Sequence, residues 1–318
     1  MPSPTVPTVG SLTSAEIRHR LRSEGLRVQM GPFAICIRSS MPDIAWNMEN
    51  LYRDYPLADN RMADYSVLID YPRGLRRWYH PQVIFEIDGH IPYKPYPAAA
   101  AIAMMEWGLN WTLFTGANQY LLFHAASLER NGKCIFMAGK PGSGKSTLCA
   151  ELALKKNPWR LLTDELTIVR KETFDVLPLC RPICLKNAAI DIVAQRHPDA
   201  FIGKKNHNTA KGTIAHVRVP TESLIRMNEP STPHMILLPQ YKQGAKTEWA
   251  ELPQSEAIML LAEQSFNFQT LGAAGFSAIK HIVSQSKMYE VVYSDLDDLV
   301  PQLEELFDEE AFGASSII

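Results

Sequence analysis

Gly139-Lys140-Pro141-Gly142-Ser143-Gly144-Lys145-Ser146 satisfies the spacing G-x-x-x-x-G-K-[ST], the pattern of a phosphate-binding loop between a strand and a helix. Its flanks supply both elements. Lys133 to Ala138 is a short apolar run suited to a buried strand, and Ser146 to Leu154 carries apolar residues at helical spacing. Glycines let the loop's N–H groups turn toward an anion, and the helix N-terminus adds its partial positive charge. Lys145 has the reach to meet β- and γ-phosphates, and Ser146 carries a hydroxyl suited to Mg²⁺. A glycine-rich turn that binds nothing needs neither the lysine nor the hydroxyl. Residues Gly139 to Ser146, with Thr147 beside them, are therefore read as the cradle of a nucleoside triphosphate.

Composition sets the frame. A chain of 318 residues holds one large domain or two ordinary ones. With 46% hydrophobic and 21% charged residues it has the make-up of an ordinary globular protein. A net charge of −2 gives no reason to expect nucleic acid or a membrane as the main partner. Five cysteines, an odd number spread along the chain, suit the reduced thiols of a cytoplasmic protein. Cys180 and Cys184 lie four apart, but no second pair or nearby histidine follows at zinc spacing, so they are read as core or strand residues. Met1 to Pro7 is polar and proline-rich, unlike a secretory signal. The most apolar stretch, Ala98 to Thr115, carries Glu106 and Asn110 and falls short of the roughly 20 residues of a membrane span. It reads as a buried helix.

Residues 1–115 are expected to form a small α+β domain without a catalytic signature. Helices are predicted at Ser14–Glu24 and Asp43–Tyr55, and strands at Pro32–Arg38, Tyr65–Tyr71 and Gln82–Ile87. Trp46, Trp78 and Tyr79 are read as core residues rather than stacking platforms. Residues 116–310 are expected to form the second domain, with a frayed tail at 311–318. It opens with a strand over Tyr120–Glu129, turns at Asn131-Gly132 and enters the loop strand. Further strands are predicted at Trp159–Thr163, Leu166–Arg170, Val176–Leu179, Lys211–Arg218, Met235–Leu238 and Tyr289–Tyr293, with helices at Ser255–Ser265, Ala273–Gln285 and Leu299–Phe307. Ala189 to Ala210, rich in Asn, His and Lys, is expected to be a mobile loop.

Two features stand near the phosphate loop. Asp164-Glu165 ends an apolar strand about twenty residues beyond it. That pattern suits one carboxylate on Mg²⁺ and a second that orients or deprotonates a nucleophile, or else a solvated strand end. His124 precedes Gly139 by fifteen residues on a strand expected to pair with the loop strand. It is either a structural histidine or a neighbour of the phosphates.

Phe123-His124-Ala125-Ala126-Ser127-Leu128, the loop, and Leu161-Leu162-Thr163-Asp164-Glu165 together resemble the HPr kinase/phosphorylase catalytic domain over about residues 120–220. Nearly end to end, the chain is similar to HPr kinase-related proteins of the "kinase A" type, whose signatures Arg181-Pro182-Ile183-Cys184-Leu185-Lys186-Asn187 and Lys211-Gly212-Thr213-Ile214-Ala215-His216 resemble. The resemblance implies a mixed α/β fold, with a P-loop catalytic domain shared with phosphoenolpyruvate carboxykinase and a small N-terminal α+β domain before it. It also implies ATP and Mg²⁺ as cofactors and transfer to a serine hydroxyl. On this basis His124 lies near the transferring phosphate, Ser146 and Asp164 hold Mg²⁺, and Glu165 stands where the family has an Asp as base. Cys184 stands where the family has a Glu, and its phosphorolysis signature is not recognisable, so that activity is not carried over. Lys186 and Lys211 become candidates for charge on the γ-phosphoryl oxygens. The implied partner is a small protein or peptide carrying a serine. A small-molecule hydroxyl and a non-catalytic nucleotide switch stay open, as does a homo-oligomer like the family's rings.

Overall fold

Asn131 and Gly132 both take positive φ, 55° and 80°, as a two-residue hairpin turn requires. They join Ala126–Arg130 to Lys133–Met137 in antiparallel register. The computed structural model that shows this describes residues 6–312. It is a mixed α/β chain with several sheets, and it divides into two units. The first holds Met1–Ala117, Cys180–Ala194 and Pro198–Ile225; the second holds Asn118–Leu179, Gln195–His197 and Arg226–Ile318. One boundary near residue 115 thus describes only part of the division, because most of 180–225 groups with the N-terminal residues.

In the second unit a six-stranded sheet runs in the order Glu248–Glu251, Lys287–Tyr293, Thr232–Tyr241, Lys133–Met137, Ala126–Arg130 and Arg160–Thr163. Thr232–Tyr241 pairs in parallel with both Lys133–Met137 and Lys287–Tyr293, and the other pairings are antiparallel. Cys134, Phe136 and Ile236 share a core with Leu261, Ile279, Ile282 and Val283. Those last four come from the helices Gln254–Gln264 and Phe268–Ser284. The second helix begins earlier than predicted and breaks at Gly272, where φ is 54°.

The run Tyr120–Glu129 is not one strand. Tyr120–Phe123 pairs with Thr167–Arg170 in a separate three-stranded sheet, while Ala126–Arg130 belongs to the six-stranded one. The break falls at His124-Ala125, inside an apolar run that gives no sign of it. The region expected to be a mobile loop holds the helix Ala188–Arg196 and the strand Asn206–Thr209. Only Ile190 and Val193 are buried in that helix, too few to show a period. The C-terminal helix runs Leu296–Phe312, longer than predicted at both ends, and the rest of the expected tail, 313–318, lies outside the described residues.

The first unit contains a five-stranded sheet, Leu26–Met30, Phe33–Arg38, Tyr65–Asp70, Gln82–Ile87 and Tyr96–Pro97 in that order. Leu26, Val28, Met30, Ile35, Val67, Ile69, Val83 and Phe85 alternate onto its buried face. The helix Ala101–Gly116 packs on it so closely that a Cβ at Gly108 would collide with the Phe85 ring. Glu106 is buried in this helix because Arg181 Nε donates to it at 3.2 Å and Tyr52 also bonds to it. Among the described residues no helix is long and apolar enough to cross a membrane. Of the aromatics read as core, Trp46 is half-buried with the Lys204 ammonium 4.4 Å from its ring centroid. Trp78 and Tyr79 are exposed, because they sit in the loop joining two sheet strands rather than on a strand face.

Candidate active site

The loop strand ends at Met137 and the helix Lys145–Leu154 begins seven residues later at Gly144, its N-cap. Gly139, Gly142 and Gly144 take φ of 137°, 86° and 94°, conformations that L side chains resist. Leu148 N–H makes its helical bond to the Gly144 carbonyl at 3.0 Å, so the N–H groups of Lys145, Ser146 and Thr147 precede the helical ladder and face the anion end. Lys145 Nζ folds back over the loop, donating to the Gly139 carbonyl and, at 3.1 Å, to that of Lys140. The Ser143 N–H closes the turn onto the Lys140 carbonyl at 3.2 Å.

Strand register brings the other candidates in this unit to the same end of the sheet. Ala126 pairs with Met137 and Ser127 with Thr163. The segments carrying His124, the phosphate loop and Asp164-Glu165 therefore all meet the sheet at the same end of its strands. His124 is half-buried; its backbone N–H donates to the Gln264 carbonyl at 2.7 Å, and its ring meets Phe266 edge-on at 5.9 Å. Asp164 is 8% exposed and Glu165 half-buried. The Thr163 hydroxyl accepts from the N–H groups of Glu165 and Leu166 at 3.4 and 3.2 Å, which fixes the turn that carries both carboxylates.

Ser146 and Asp164 suit Mg²⁺ by chemistry. Both offer hard oxygen, and Mg²⁺ needs few protein ligands when phosphates supply the rest. Burial, and then the charge of Asp164, push the Cys149 thiol well above its ordinary pKa. Cys149 lies one turn after Ser146 in the same helix, so the charge of Asp164 is felt in the phosphate-loop helix.

Two tyrosines complete this end and were not singled out from the sequence. Tyr293 Oη donates to the Gly144 carbonyl at 3.5 Å, and Tyr241 N–H donates to the Ser143 carbonyl at 3.0 Å. Burial, and then Tyr241, push the Tyr293 hydroxyl above its usual pKa. Tyr293 closes the apolar run of a predicted strand, and that placement was the only available signal.

Lys186 and Lys211 belong to the first unit. Lys186 ends the strand Ile183–Lys186, in register with Ile214. Lys211 is exposed on the turn before Gly212–Val217, its ammonium 5.7 Å from the Trp107 ring centroid. Cys184 is half-buried, in register with His216.

Glu151, in the phosphate-loop helix, accepts from Arg196 at 2.7 and 3.0 Å and lies 2.9 Å from His197 Nε2. Burial opposes its charge most, but the bonds from Arg196 and His197 outweigh it and hold its pKa below the ordinary value. A carboxyl depressed in the folded state gives stability present above its unfolded pKa, about 4.3, and lost as pH falls through the folded value. Glu151→Gln is expected to be less stable than the parent at neutral pH and to lose less on acidification from about pH 5 to 3. Urea midpoints across that range test this, and parallel curves for the two proteins would refute it.

The chain matches no protein-family model and no curated protein. Among solved structures it is similar to the Hpr(Ser) kinase/phosphatase from Coxiella burnetii, at 12% identity over 62% of this chain and 99% of that one, with a TM-score of 0.28.

Proposed function

We propose that the chain is an ATP- and Mg²⁺-dependent phosphotransferase of the HPr kinase-related "kinase A" type, moving a γ-phosphoryl group to a serine hydroxyl on a small protein or peptide. The observation that carries this reading is the arrival of the phosphate loop, His124 and Asp164-Glu165 at one end of one sheet. The N–H groups of the loop and helix start, with Lys145, hold the phosphates. Ser146 and Asp164 would hold Mg²⁺, which when bound offsets charge on the β- and γ-oxygens. Glu165 orients the acceptor hydroxyl and takes its proton as the serine oxygen bonds to phosphorus and the bond to the ADP oxygen breaks. His124 lies near the γ-phosphate.

Cys184 favours a second reading. A thiol where the resemblance expects a carboxylate removes one oxygen ligand, as suits a nucleotide switch without transfer. The purified protein with γ-labelled ATP and Mg²⁺ separates the two, offered candidate small proteins, serine peptides and free serine. Glu165→Gln is expected to lower transfer about a hundredfold while ATP binding persists. Lys145→Ala is expected to lose both. Tight ATP binding with no label on any acceptor would leave the switch.

A further inference from the structure

The loop 71–81, Tyr-Pro-Arg-Gly-Leu-Arg-Arg-Trp-Tyr-His-Pro, joins two central strands of the first unit's sheet, Tyr65–Asp70 and Gln82–Ile87. Every residue from Arg73 to His80 is exposed. Leu75, Trp78 and Tyr79 are 83%, 79% and 69% exposed, a concentration of large apolar side chains that a loop facing only water does not need. The loop has internal order. Leu75–Arg77 forms a short 3-10 turn after Gly74, where φ is 92°. The Arg77 guanidinium carbon lies 5.5 Å from the Tyr71 ring centroid and 5.6 Å from that of Trp78, cation–π contacts that hold the group in place. The segment contains three arginines and no Asp or Glu, in a chain whose net charge is −2. Among the described residues, none of Arg73, Arg76 and Arg77 is in an ion pair.

We propose that this loop is a docking surface for an acidic segment of a partner protein or peptide, in which carboxylates flank an apolar side chain. The proposal rests on the reading of a peptide or small-protein acceptor. Its residue types are those that dominate binding energy at protein interfaces, Trp, Tyr and Arg. Guanidinium forks pair with carboxylates in bidentate geometry, and the rings give contact area at low entropic cost. An anionic membrane fits less well. Polybasic lipid-binding segments carry about four to eight basic residues, and this loop has three arginines on a net-negative chain.

The test uses the full chain and a fluorescein-labelled peptide of alternating glutamate and leucine, read by anisotropy. Saturable binding is expected, weakening as salt rises. A loss of about tenfold or more is expected both in Arg76→Glu/Arg77→Glu and in Trp78→Ala. Both variants keep the parent's ATP affinity, which shows that they fold. Unchanged peptide binding in both variants would overturn the proposal, as would equal binding of a lysine-leucine peptide. So would binding of phosphatidylserine vesicles through these arginines without peptide binding, or a dimer in sedimentation that the arginine variant dissolves while the parent ignores the peptide. Lys145→Ala must leave peptide binding intact. A protein that binds the peptide through these arginines yet phosphorylates nothing keeps the docking surface and loses the kinase reading. Acidic serine substrates phosphorylated equally by parent and arginine variant would do the reverse.

Discussion

Gly144→Ala is expected to lose nearly all ATP affinity and about three orders of magnitude in phosphoryl transfer. Two independent constraints act on this one position. Its φ of 94° lies in the left-handed region, where a Cβ costs about 1–2 kcal/mol. A Cβ there would also fall closer to the Tyr293 hydroxyl than the 3.0 Å that real Cβ atoms respect, and 3.2 Å from the Tyr241 Cβ. Tyr293 is 1% exposed, so its ring has little room to retreat. The loop must give instead, and the N–H groups proposed to hold the phosphates turn with it. Tyr293→Phe removes the colliding oxygen but not the backbone strain. The double variant Gly144→Ala/Tyr293→Phe is therefore expected to recover part of the affinity, and Tyr293→Phe alone is expected to stay near the parent. Titration calorimetry with a non-hydrolysable ATP analogue measures all three. Parent-like affinity in Gly144→Ala would show that the loop bends without cost. No recovery in the double variant would leave the backbone as the whole cause.

The loop's glycines were legible because positive φ at Gly139, Gly142 and Gly144 admits few residue types, so geometry is written directly into sequence. The hairpin at Asn131-Gly132 was legible for the same reason. Tyr241 and Tyr293 were not. Their contacts depend on the parallel strand beside the loop strand, which ends in Tyr241, and on a second parallel strand beyond it, which carries Tyr293, and Tyr293 is separated from Gly144 by 149 positions. No local pattern encodes such a pairing. The strand Leu26–Met30 was overlooked although Leu26, Val28 and Met30 alternate onto the core, since five residues give a short period little statistical weight. Trp78 and Tyr79 misled for the opposite reason. Aromatic composition favours the core on average, but burial depends on whether a residue lies on a strand face or in a connection. The two acidic residues after Thr163 were visible as a pair, and only the register of Ser127 with both Phe136 and Thr163 sets them at the loop's end of the sheet.

Arg160→Met is expected to destabilise the second unit by about 3–5 kcal/mol while leaving ATP affinity unchanged below the unfolding transition. Arg160 Nε and Glu129 Oε2 are 2.5 Å apart, and both side chains are 3% exposed. The pair spans two neighbouring strands in register. Arg160 Nη1 also donates to the Arg226 and Glu229 carbonyls at 2.8 and 2.9 Å, and Glu129 Oε1 accepts the Gly132 N–H at 2.5 Å. Removing the guanidinium leaves a buried carboxylate with its largest compensation gone. Replacing both partners, Glu129→Met/Arg160→Met, removes the stranded charge and is expected to restore much of the loss, because an apolar pair of similar volume needs no desolvation offset. Recovery will be incomplete, since the two carbonyls still lose their donors. Urea unfolding of the parent, both single variants and the double variant closes the cycle. A double variant no more stable than the singles would mean that the bonds to Arg226, Glu229 and Gly132, rather than the ion pair, hold this corner. ATP affinity is the second readout because the pair sits at the hairpin end of the loop strand, while the phosphate loop leaves from the other. Five residues of strand, about 17 Å, separate the two ends, so the charge that secures the sheet and the charges proposed to move phosphate are expected to respond to mutation independently.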